Sequence, residues 1–291
     1  MHEPVMVSEV LEHLAPERGG IFVDCTVGYG GHTRAMLDAG ATTVIGFDRD
    51  TTALAEAQTA LAAYGSRVTL LHSDYRRLDE ALDAQNIGPV DGVLADLGVS
   101  SMQLDAPGRG FSFRRDEPLD MRMDTTTGPT AAEAIRDVEE RTLADVIYEY
   151  GEDRHARRIA RAITEARASA PIATTGRLAD IVRRAVSRRG YSRIDPATRT
   201  FQAIRIWVNR ELEGLDQFLA RAANRLKPDG RLVIISFHSL EDRVVKHTLR
   251  ALQSGNAGIS VRTKRPIVPT EAEVERNPRA RSAKLRAAEK A

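Results

Sequence analysis

Residues 21–48 of the chain, IFVDCTVGYGGHTRAMLDAGATTVIGFD, decide the predicted fold. A short apolar run ends at Asp24 and leads into a glycine-rich turn, after which residues 33–39 have helical composition. A second apolar run, residues 43–47, ends at Asp48. This order predicts a strand, a tight turn, a helix and a second strand, which is the βαβ unit of a parallel sheet.

The same alternation continues as far as residue 95. We expect helices over residues 51–64 and 76–84, and strands over residues 68–71 and 90–95. Strictly alternating strands and helices predict a mostly parallel sheet with helices on both faces. The predicted fold class is therefore α/β with a Rossmann-like core.

The alternation stops after the fourth strand. Apolar residues step at helical spacing over residues 143–150 and again over 178–185, and no strand pattern interrupts them. We therefore predict an all-helical insertion. The predicted domains are a first α/β part, the insertion, and a second α/β part with a basic C-terminal tail: residues 1–105, 106–199 and 200–291.

Strand and helix patterns return after the insertion. Residues 201–219 carry the spacing of one long amphipathic helix, and Lys227-Pro-Asp-Gly230 predicts a turn. A fifth strand over residues 232–235, a helix from about Leu240 and a strand-like piece at 259–261 follow. The α/β domain is thus predicted to resume after the insertion.

The composition is that of a soluble globular protein, with 42% hydrophobic residues and a formal net charge of +1 in 291 residues. A single cysteine, Cys25, excludes an internal disulfide and suits a reducing compartment. The chain has no leader pattern, and no apolar run approaches the roughly 18 residues of a membrane span. We expect a cytoplasmic protein without a membrane partner.

The glycine turn departs from the dinucleotide-binding pattern. That pattern needs three glycines, and after Gly28 and Gly30 its third position is Thr33. A pyrophosphate-binding turn is therefore disfavoured, and with it an NAD-dependent oxidoreductase. His32 in this turn is more typical of hydrogen bonding at a helix start than of a base. No other histidine stands at metal-ligand spacing, so we predict no metal.

Acidic residues follow three successive strands: Asp24, Asp48 and the pair Asp74-Tyr75. A carboxylate at the end of the second strand is well placed to accept both hydroxyls of a ribose. The set resembles the adenosyl pocket of a class I S-adenosylmethionine-dependent methyltransferase. Three alternatives stay open. Asp24 is also suited to capping the following helix or to bracing the turn, and Asp48 to an N-cap for which Asp50 is equally available. Tyr75 is also suited to core packing.

Residues 94–124, LADLGVSSMQLDAPGRGFSFRRDEPLDMRMD, form a long polar segment at the end of the fourth strand. Ligands of open α/β sheets sit off the carboxyl ends of strands. Such long loops in compact domains are usually functional or disordered. We expect chemistry at Asp96, with a surface excursion as the alternative.

Long motifs across essentially the whole chain closely resemble the bacterial MraW (RsmH) family. These motifs are HEPVM (2–6), VGYGGHT (27–33), DLGVSSMQLD (96–105), RGFSF (109–113), PLDMRMD (118–124), RTFQAIRIWVNREL (199–212), ISFHSLEDRVVK (235–246) and NPRARSAKLR (277–286). The resemblance implies a Rossmann-like core interrupted by a helical domain. It also implies S-adenosylmethionine-dependent methylation of the exocyclic N4 of a cytidine in small-subunit (16S) ribosomal RNA.

The resemblance further implies a set of cofactor contacts. They fall on Gly30, Gly31, His32, Asp48, Tyr75, Asp96 and Gln103. The glycines would let the chain pass the methionine moiety, while Asp48 would hold the ribose and Tyr75 would flank the adenine. Asp96 and Gln103 would face the amino-acid end of the cofactor, whose ammonium group needs acceptors.

Asp96 is also the predicted catalytic residue. A carboxylate that accepts an N–H of the cytosine amine helps to localise the nitrogen lone pair toward the methyl group. Other amino-methyltransferases of nucleic acids follow this position with Pro, Pro and an aromatic residue, whereas here residues 97–100 are LGVS. The familiar aromatic platform for the base is therefore absent.

Substitutes for that platform lie in the same segment. We hypothesise that Ser100 or Ser101 orients the base and that Phe111 or Phe113 packs against it. The alternative for the phenylalanines is a hydrophobic anchor that pins the loop.

Arginine-rich runs are candidate contacts to RNA phosphates, with a solvated helix face as the alternative. The candidates are Arg183, Arg184, Arg188, Arg189 and Arg193 in the insertion, and Arg276, Arg279, Arg281, Lys284 and Arg286 in the tail. The expected partner is 16S rRNA, within an assembling small subunit. A homodimer is compatible with the apolar helix around Trp207. The rival functions are a non-catalytic RNA-binding assembly factor and an NAD-dependent oxidoreductase.

Overall fold

The computed structural model describes residues 4–186, 195–255 and 257–291, apart from the side chains of Ser101 and Met102. One seven-stranded sheet has the order β3-β2-β1-β4-β5-β7-β6. The strands are β1 (Ile21–Asp24), β2 (Thr43–Asp48), β3 (Val68–His72), β4 (Val90–Asp96), β5 (Leu226–Ser236), β6 (Ile259–Val261) and β7 (Lys284–Lys290). The first five strands run parallel, and β7 is antiparallel to both β5 and β6. The predicted α/β, Rossmann-like fold is confirmed.

Helices follow and flank the strands, and short 3-10 helices precede β1, β3, β7 and the helix Leu78–Ala84. The α-helices are α1 (Val7–Leu14), α2 (Gly31–Asp38), α3 (Thr51–Ala60), α4 (Leu78–Ala84), α5 (Ser101–Asp105), α6 (Ala131–Asp137), α7 (Glu140–Gly151), α8 (Ala156–Ser169), α9 (Thr175–Ala185), α10 (Ala197–Asn209), α11 (Leu215–Arg225), α12 (Ser239–Ser254) and α13 (Glu271–Arg276). Among the described residues, no helix combines the length and apolar composition needed to cross a membrane.

The sheet is covered on both faces, which explains why its strands are apolar at consecutive positions rather than alternating. Val93 of β4 packs in one core, against helices α4, α11 and α12. Its neighbour Leu94 points to the other core, which helices α1 and α2 cover. Because successive strand residues face opposite sides, both cores receive side chains from every central strand.

Two compact units divide the chain. The first contains the sheet and comprises the residues up to Gly98 and from Leu212 onward, and the second, the helical insertion, is Val99–Glu211. The predicted boundaries at 105/106 and 199/200 are therefore shifted outward at both ends. The reason is packing, since Val99 and Leu104 contact the core of the insertion and Phe201 lies within it.

The single long helix predicted over residues 201–219 is wrong, because the structure has α10 and α11 with a break between them. Arg210 adopts a left-handed conformation (φ 50°) that ends α10, and Gly214 (φ 70°) precedes α11. The apolar spacing continues across the break although the helix does not. Trp207 packs against the core of the insertion, so its apolar character is explained within one chain.

The predicted turn at residues 227–230 lies inside β5. The register with β4 shifts there, from Val90↔Leu226 to Gly92↔Arg231. Asp229 has a positive φ of 61°, as the sharp backbone bend predicted by Pro-Asp-Gly requires. The turn chemistry is thus accommodated as an irregularity within one strand.

The prediction of a basic C-terminal tail is also wrong for the last residues, which form β7 between β5 and β6. Leu285 and Ala287 are buried in the core under α1 and α2. Arg286 is only 6% exposed, and its guanidinium donates to the Asp242 carboxylate at 2.7 Å and 3.3 Å. This part of the tail is therefore a strand, and its cations Lys284 and Arg286 both pair with Asp242.

The segment 109–124 has a structural role in the insertion. Leu119, Met121 and Met123 are buried in its core. The Arg109 guanidinium donates to the carbonyl oxygens of residues 122 and 123. The Asn209 amide donates to Met121 O at 2.7 Å, and its carbonyl oxygen accepts from Met123 N at 2.7 Å. Side chains thereby form hydrogen bonds with backbone groups of this irregular segment, which no helix or strand pairs.

We expect Asn209→Ala to lower the free energy of unfolding of the insertion by about 3 kcal/mol, since each buried backbone group left unpaired costs about 1–3 kcal/mol. Urea unfolding followed by the fluorescence of Trp207, the single tryptophan, measures this because that side chain packs against the insertion core. The matched control is Glu165→Ala, an exposed residue of α8, which should leave the midpoint unchanged. Equal midpoints for both variants would contradict the role of Asn209.

Candidate active site

Four polar positions lie in a row along one edge of the sheet. Asp24, Asp48 and Asp96 are the last residues of β1, β2 and β4, and Asp74 follows the end of β3. Because the strand order is β3-β2-β1-β4, the row runs from Asp74 to Asp96. The strand order reverses between β1 and β4, which is where ligands of such sheets bind. The sequence predicted the individual residues, and the topology brings them to one edge.

Side chains from elsewhere in the chain pack closely against two glycines of the turn. Gly30 (φ 79°) precedes α2 in a left-handed conformation, and a Cβ built on it would lie 2.8 Å from Leu61 Cδ1. A Cβ on Gly31 would lie 2.9 Å from Pro4 Cγ. The positive φ favours glycine at position 30, and a side chain at either position would have to displace Leu61 or Pro4. Gly28 (φ 52°) differs, because a Cβ there would meet no described atom within 4 Å.

Asp48 braces the glycine turn rather than capping a helix. Its Oδ2 accepts from Gly28 N at 2.8 Å and its Oδ1 from Asp50 N at 2.9 Å. The N-cap of α3 is Asp50, whose side chain accepts from Thr52 N. Burial raises the pKa of Asp48, against the effect of these two hydrogen bonds. Each carboxylate oxygen has a second lone pair, so the group keeps acceptor capacity for hydroxyls.

Asp24 is fully buried beneath the turn. Its Oδ2 accepts from the Thr33 hydroxyl at 2.7 Å and its Oδ1 from Thr26 N at 3.2 Å. Burial raises the pKa of Asp24 to about 6, although the charge of His32 and the two hydrogen bonds oppose the rise. Thr33, which stands in place of the third glycine of the dinucleotide pattern, therefore donates a hydrogen bond to Asp24. Of the alternatives for Asp24, bracing the turn is the one observed.

His32 lies in the first turn of α2, 5% exposed, and faces Asp96. Its Nε2 is 3.6 Å from Asp96 Oδ2, which is ion-pair rather than hydrogen-bond distance. Burial alone would lower the pKa of His32, but Asp96, Asp24 and Glu273 together raise it. Asp96 is held in place by its backbone, which donates to Thr26 Oγ1 at 2.7 Å. Neither His32 nitrogen nor Asp96 Oδ1 has a hydrogen-bond partner in the described part of the chain.

Asp74 and Tyr75 form the far end of the row. Asp74 accepts from Arg76 N and from the Arg76 guanidinium, and Arg49 lies 3.7 Å away. Burial acts to raise the pKa of Asp74, yet these arginines hold it below its usual range. The Tyr75 ring packs against Phe218 with centroids 4.7 Å apart. Tyr75 thus packs against the core.

Gln103 belongs to the insertion, where it forms a capping box with Ser100 at the start of α5. Ser100 Oγ accepts from Gln103 N at 3.1 Å, and Gln103 Oε1 accepts from Ser100 N at 2.9 Å. The hydroxyl proposed to orient the base is therefore engaged in a helix cap. The Ser101 side chain lies outside the described atoms.

The two candidate phenylalanines pack in the insertion, as the anchor alternative states. Phe111 is buried in its core, beneath the Arg109 guanidinium at 5.8 Å. Phe113 meets Phe201 edge to face at 4.7 Å, and the Arg183 guanidinium lies 5.6 Å from its ring centroid. Both rings have structural partners within their own unit.

Sequence reasoning missed the pairing of His32 with Asp96 and the contact of Thr26 with Asp96. Both contacts depend on β1 being the neighbour of β4, which alternation alone does not reveal. The available signal was the switch-point rule, which brings residues after the first strand to those ending the fourth.

A sequence model described as the MraW methylase family matches residues 1–291. The chain belongs to this family. Proteins named ribosomal RNA small subunit methyltransferase H are similar along their length. The Deinococcus radiodurans protein is 52% identical over 100% of this chain and 90% of its own. The Bradyrhizobium diazoefficiens protein is 50% identical over 99% and 91%, and the Geotalea uraniireducens protein 48% over 99% and 98%. Among solved structures, an rRNA methylase from Streptococcus thermophilus has 13% identity and a TM-score of 0.43, over 100% of this chain and 98% of that chain.

Membership makes the chain a methyltransferase dependent on S-adenosyl-L-methionine, as predicted. The residues at the sheet edge fit this cofactor. Beside Gly28 there is open space, Asp48 has acceptor capacity, and Asp96 Oδ1 is a buried acceptor without a partner in the described residues. A sulfonium cofactor with hydroxyl and ammonium groups requires acceptors of this kind.

We expect Asp24→Asn to change how stability depends on pH. A carboxyl whose pKa rises on folding from the ordinary 3.8 to about 6 stabilises the fold at low pH and loses this contribution as pH rises through 6. The loss is on the order of 3 kcal/mol. Because asparagine does not titrate, the free energy of unfolding of Asp24→Asn should gain about that much relative to the wild type between pH 4 and pH 7.

Urea unfolding followed by circular dichroism across this pH range gives the difference directly. The matched control is Asp216→Asn, which makes the same chemical change at an exposed position of α11 and should follow the wild-type pH dependence. A constant difference between Asp24→Asn and the wild type would show that Asp24 keeps an ordinary pKa in the fold.

Proposed function

We propose that the protein methylates the exocyclic N4 of a cytidine in small-subunit (16S) ribosomal RNA. The observation that carries the proposal is the Asp96 carboxylate, which ends β4 at the switch point with one buried oxygen, Oδ1, lacking a partner among the described residues. Relatives that are about half identical bear names of small-subunit ribosomal RNA methyltransferases, which supports the RNA class. The identity of the methylated atom, the cytosine amine, rests on the chemistry of Asp96.

S-adenosyl-L-methionine, when bound, supplies a methyl group activated by a sulfonium sulfur. The amine of cytosine is a weak nucleophile because its lone pair is delocalised into the ring. Asp96 Oδ1 accepts a hydrogen bond from this amine, localises the lone pair and receives the proton that N4 releases. General acid–base assistance of this kind contributes about 10²–10⁴-fold to a rate. Asp96 is accordingly the proposed catalytic residue.

The proposed cofactor contacts follow the order of the sheet edge. Asp48 holds the ribose hydroxyls, and Tyr75 flanks the adenine. Gly30 and Gly31 form the turn beneath the methionine moiety, and His32 borders it. Gln103 remains a proposed contact to the amino-acid end of the cofactor.

The proposed RNA contacts need revision where arginines have partners within the protein. Arg183 pairs with Asp180 at 3.0 Å and with Asp195 at 2.9 Å. Arg286 is buried against Asp242, and Lys284 is 3.5 Å from the same carboxylate. These three cations are already paired with carboxylates of the same chain. Arg184 and Arg281 are exposed, and Arg276 and Arg279 have interactions within the chain. These four stay candidates, while Arg188, Arg189 and Arg193 lie outside the described residues.

Helix α8 offers a better basic surface, formed by Arg157, Arg158 and Arg161. All three are exposed, and at about 100° per residue they span one arc of roughly 100° on the helix. Arg157 and Arg158 have no ion-pair partner within residues 4–186, 195–255 and 257–291, and Arg161 lies 3.8 Å from Glu140. The first turn of α8 has no acidic residue, so cations stand at the positive end of the helix dipole. An RNA phosphate would offset this unfavourable charge.

The proposed setting is cytoplasmic, with 16S rRNA inside an assembling subunit as the substrate. A homodimer stays a prediction.

We expect cells that lack the protein to lose one N4-methylated cytidine of 16S rRNA, and expression of the wild type to restore it. Expression of Asp96→Ala should not restore it, because the variant lacks the acceptor. Mass spectrometry of nuclease fragments of the RNA identifies the nucleotide and the methylated atom.

Three outcomes separate the rival functions. Loss of a methyl group on another atom would exclude the cytosine amine. Full methylation with Asp96→Ala would exclude both proposed roles of Asp96. Unchanged methylation without the protein, with defective subunits, would favour a non-catalytic assembly factor, and calorimetric titration with S-adenosylmethionine and with NAD distinguishes the oxidoreductase.

We expect the triple variant Arg157→Gln, Arg158→Gln, Arg161→Gln to bind 16S rRNA fragments more weakly and with a smaller salt dependence. Each phosphate contact contributes about 0.7–0.9 to the slope of log K against log salt, so the slope should fall by about 2. Fluorescence anisotropy at several salt concentrations measures it.

Two single variants provide the control, Arg136→Gln and Arg158→Gln. Both residues are exposed arginines of the insertion, but Arg136 already pairs with Asp137 at 2.7 Å. The first variant should keep the wild-type slope and the second should reduce it. An equal slope for the wild type and the triple variant would remove α8 from the RNA surface.

A further inference from the structure

His32 is a buried ring whose two nitrogens are both unsatisfied within the described residues. A buried polar group without a partner is uncommon in folded proteins and calls for an explanation. Three carboxylates act on this ring from three elements: Asp24 at the end of β1, Asp96 at the end of β4 and Glu273 in α13. The identity of its partner follows from what each carboxylate already binds.

Two of the three carboxylates are committed elsewhere. Asp24 accepts from the Thr33 hydroxyl and from Thr26 N. Glu273 Oε1 accepts from Met6 N at 2.7 Å. Asp96 has no comparable commitment, since its Oδ1 lacks a described partner and its Oδ2 faces His32 Nε2 at 3.6 Å. Asp96 is therefore the carboxylate that His32 can orient.

We propose that protonated His32 is a positioning residue that holds Asp96 by Oδ2, so that Oδ1 is presented to an N–H group of the ligand. The inference deepens the proposed function, on which the identity of that N–H group rests. A carboxylate on a flexible Cα–Cβ bond otherwise rotates between orientations. With Oδ2 attracted to the imidazolium and the Asp96 backbone fixed by Thr26, one orientation is selected.

This arrangement separates the two oxygens of one carboxylate by role. Oδ2 takes part in a fixed ion pair inside the protein, and Oδ1 is the acceptor that the amine of the base meets. The imidazolium stays protonated throughout, and the proton released by the amine goes to Oδ1. Loss of the His32 proton at high pH removes the constraint on Asp96 but leaves the sheet edge intact.

The test is an NMR titration of the full chain without cofactor or RNA, labelled with carbon-13 at the histidine rings. His32→Gln identifies the His32 signal among the seven histidines. In the wild type we expect its titration midpoint above the ordinary value of about 6.5. In Asp96→Asn, which keeps the shape of the side chain, the midpoint should fall by at least one pH unit because burial then dominates.

Asp24→Asn is the comparison variant, and it should lower the His32 midpoint less than Asp96→Asn does. Unchanged positions of the other six histidine signals report that each variant is folded. An unchanged midpoint in Asp96→Asn, or a larger fall in Asp24→Asn, overturns the proposal. Because the titration uses no RNA, its failure is distinguishable from a failure to find N4-methylcytidine.

The pH profile of methyl transfer provides a second readout. The wild-type kcat should fall as pH rises through the His32 midpoint. His32→Gln, whose amide can still donate to Oδ2, should retain reduced activity without this fall, whereas His32→Ala should lose more. Identical pH profiles for the wild type and His32→Gln would also overturn the proposal.

Discussion

Burial of the sheet on both faces is the constraint on which the rest of the structure depends. Helices cover both faces of the central parallel strands, whose interior positions are mostly apolar. The acidic residues of the candidate site lie where these strands end, and there the fold collects Asp24, Asp48 and Asp96. The acidic residues are tolerated because each is engaged by backbone amides, hydroxyls or an ion pair.

The parts of this edge that sequence predicts are those with local causes. Apolar runs that end in Asp24 and Asp48 mark strand ends, and a glycine turn between them marks the βαβ unit. The family motifs then imply the cofactor residues, from Gly30 to Gln103. What sequence does not show is which strand ends are neighbours, and the pairing of His32 with Asp96 depends on that order alone.

Two further errors have a common physical origin. Apolar spacing across residues 201–219 predicts one helix, but backbone conformation at Arg210 and Gly214 breaks it without disturbing the spacing. Charge in the last residues predicts a tail, but Arg286 is neutralised by Asp242, a residue distant in sequence. In both cases a local pattern is overridden by a contact or a backbone angle that composition does not encode.

The pairing of β4 with β5 joins residues near position 93 to residues near position 232, with the whole insertion between them. An unstructured connection of this length would slow closure of the sheet, since chain entropy must be lost before the pairing is formed. The insertion has its own core and can fold from contacts that are closer in sequence. During synthesis all of its residues precede those of β5. The sequence order thus suits a folding pathway in which the helical unit forms first and strands β5, β6 and β7 then complete the sheet.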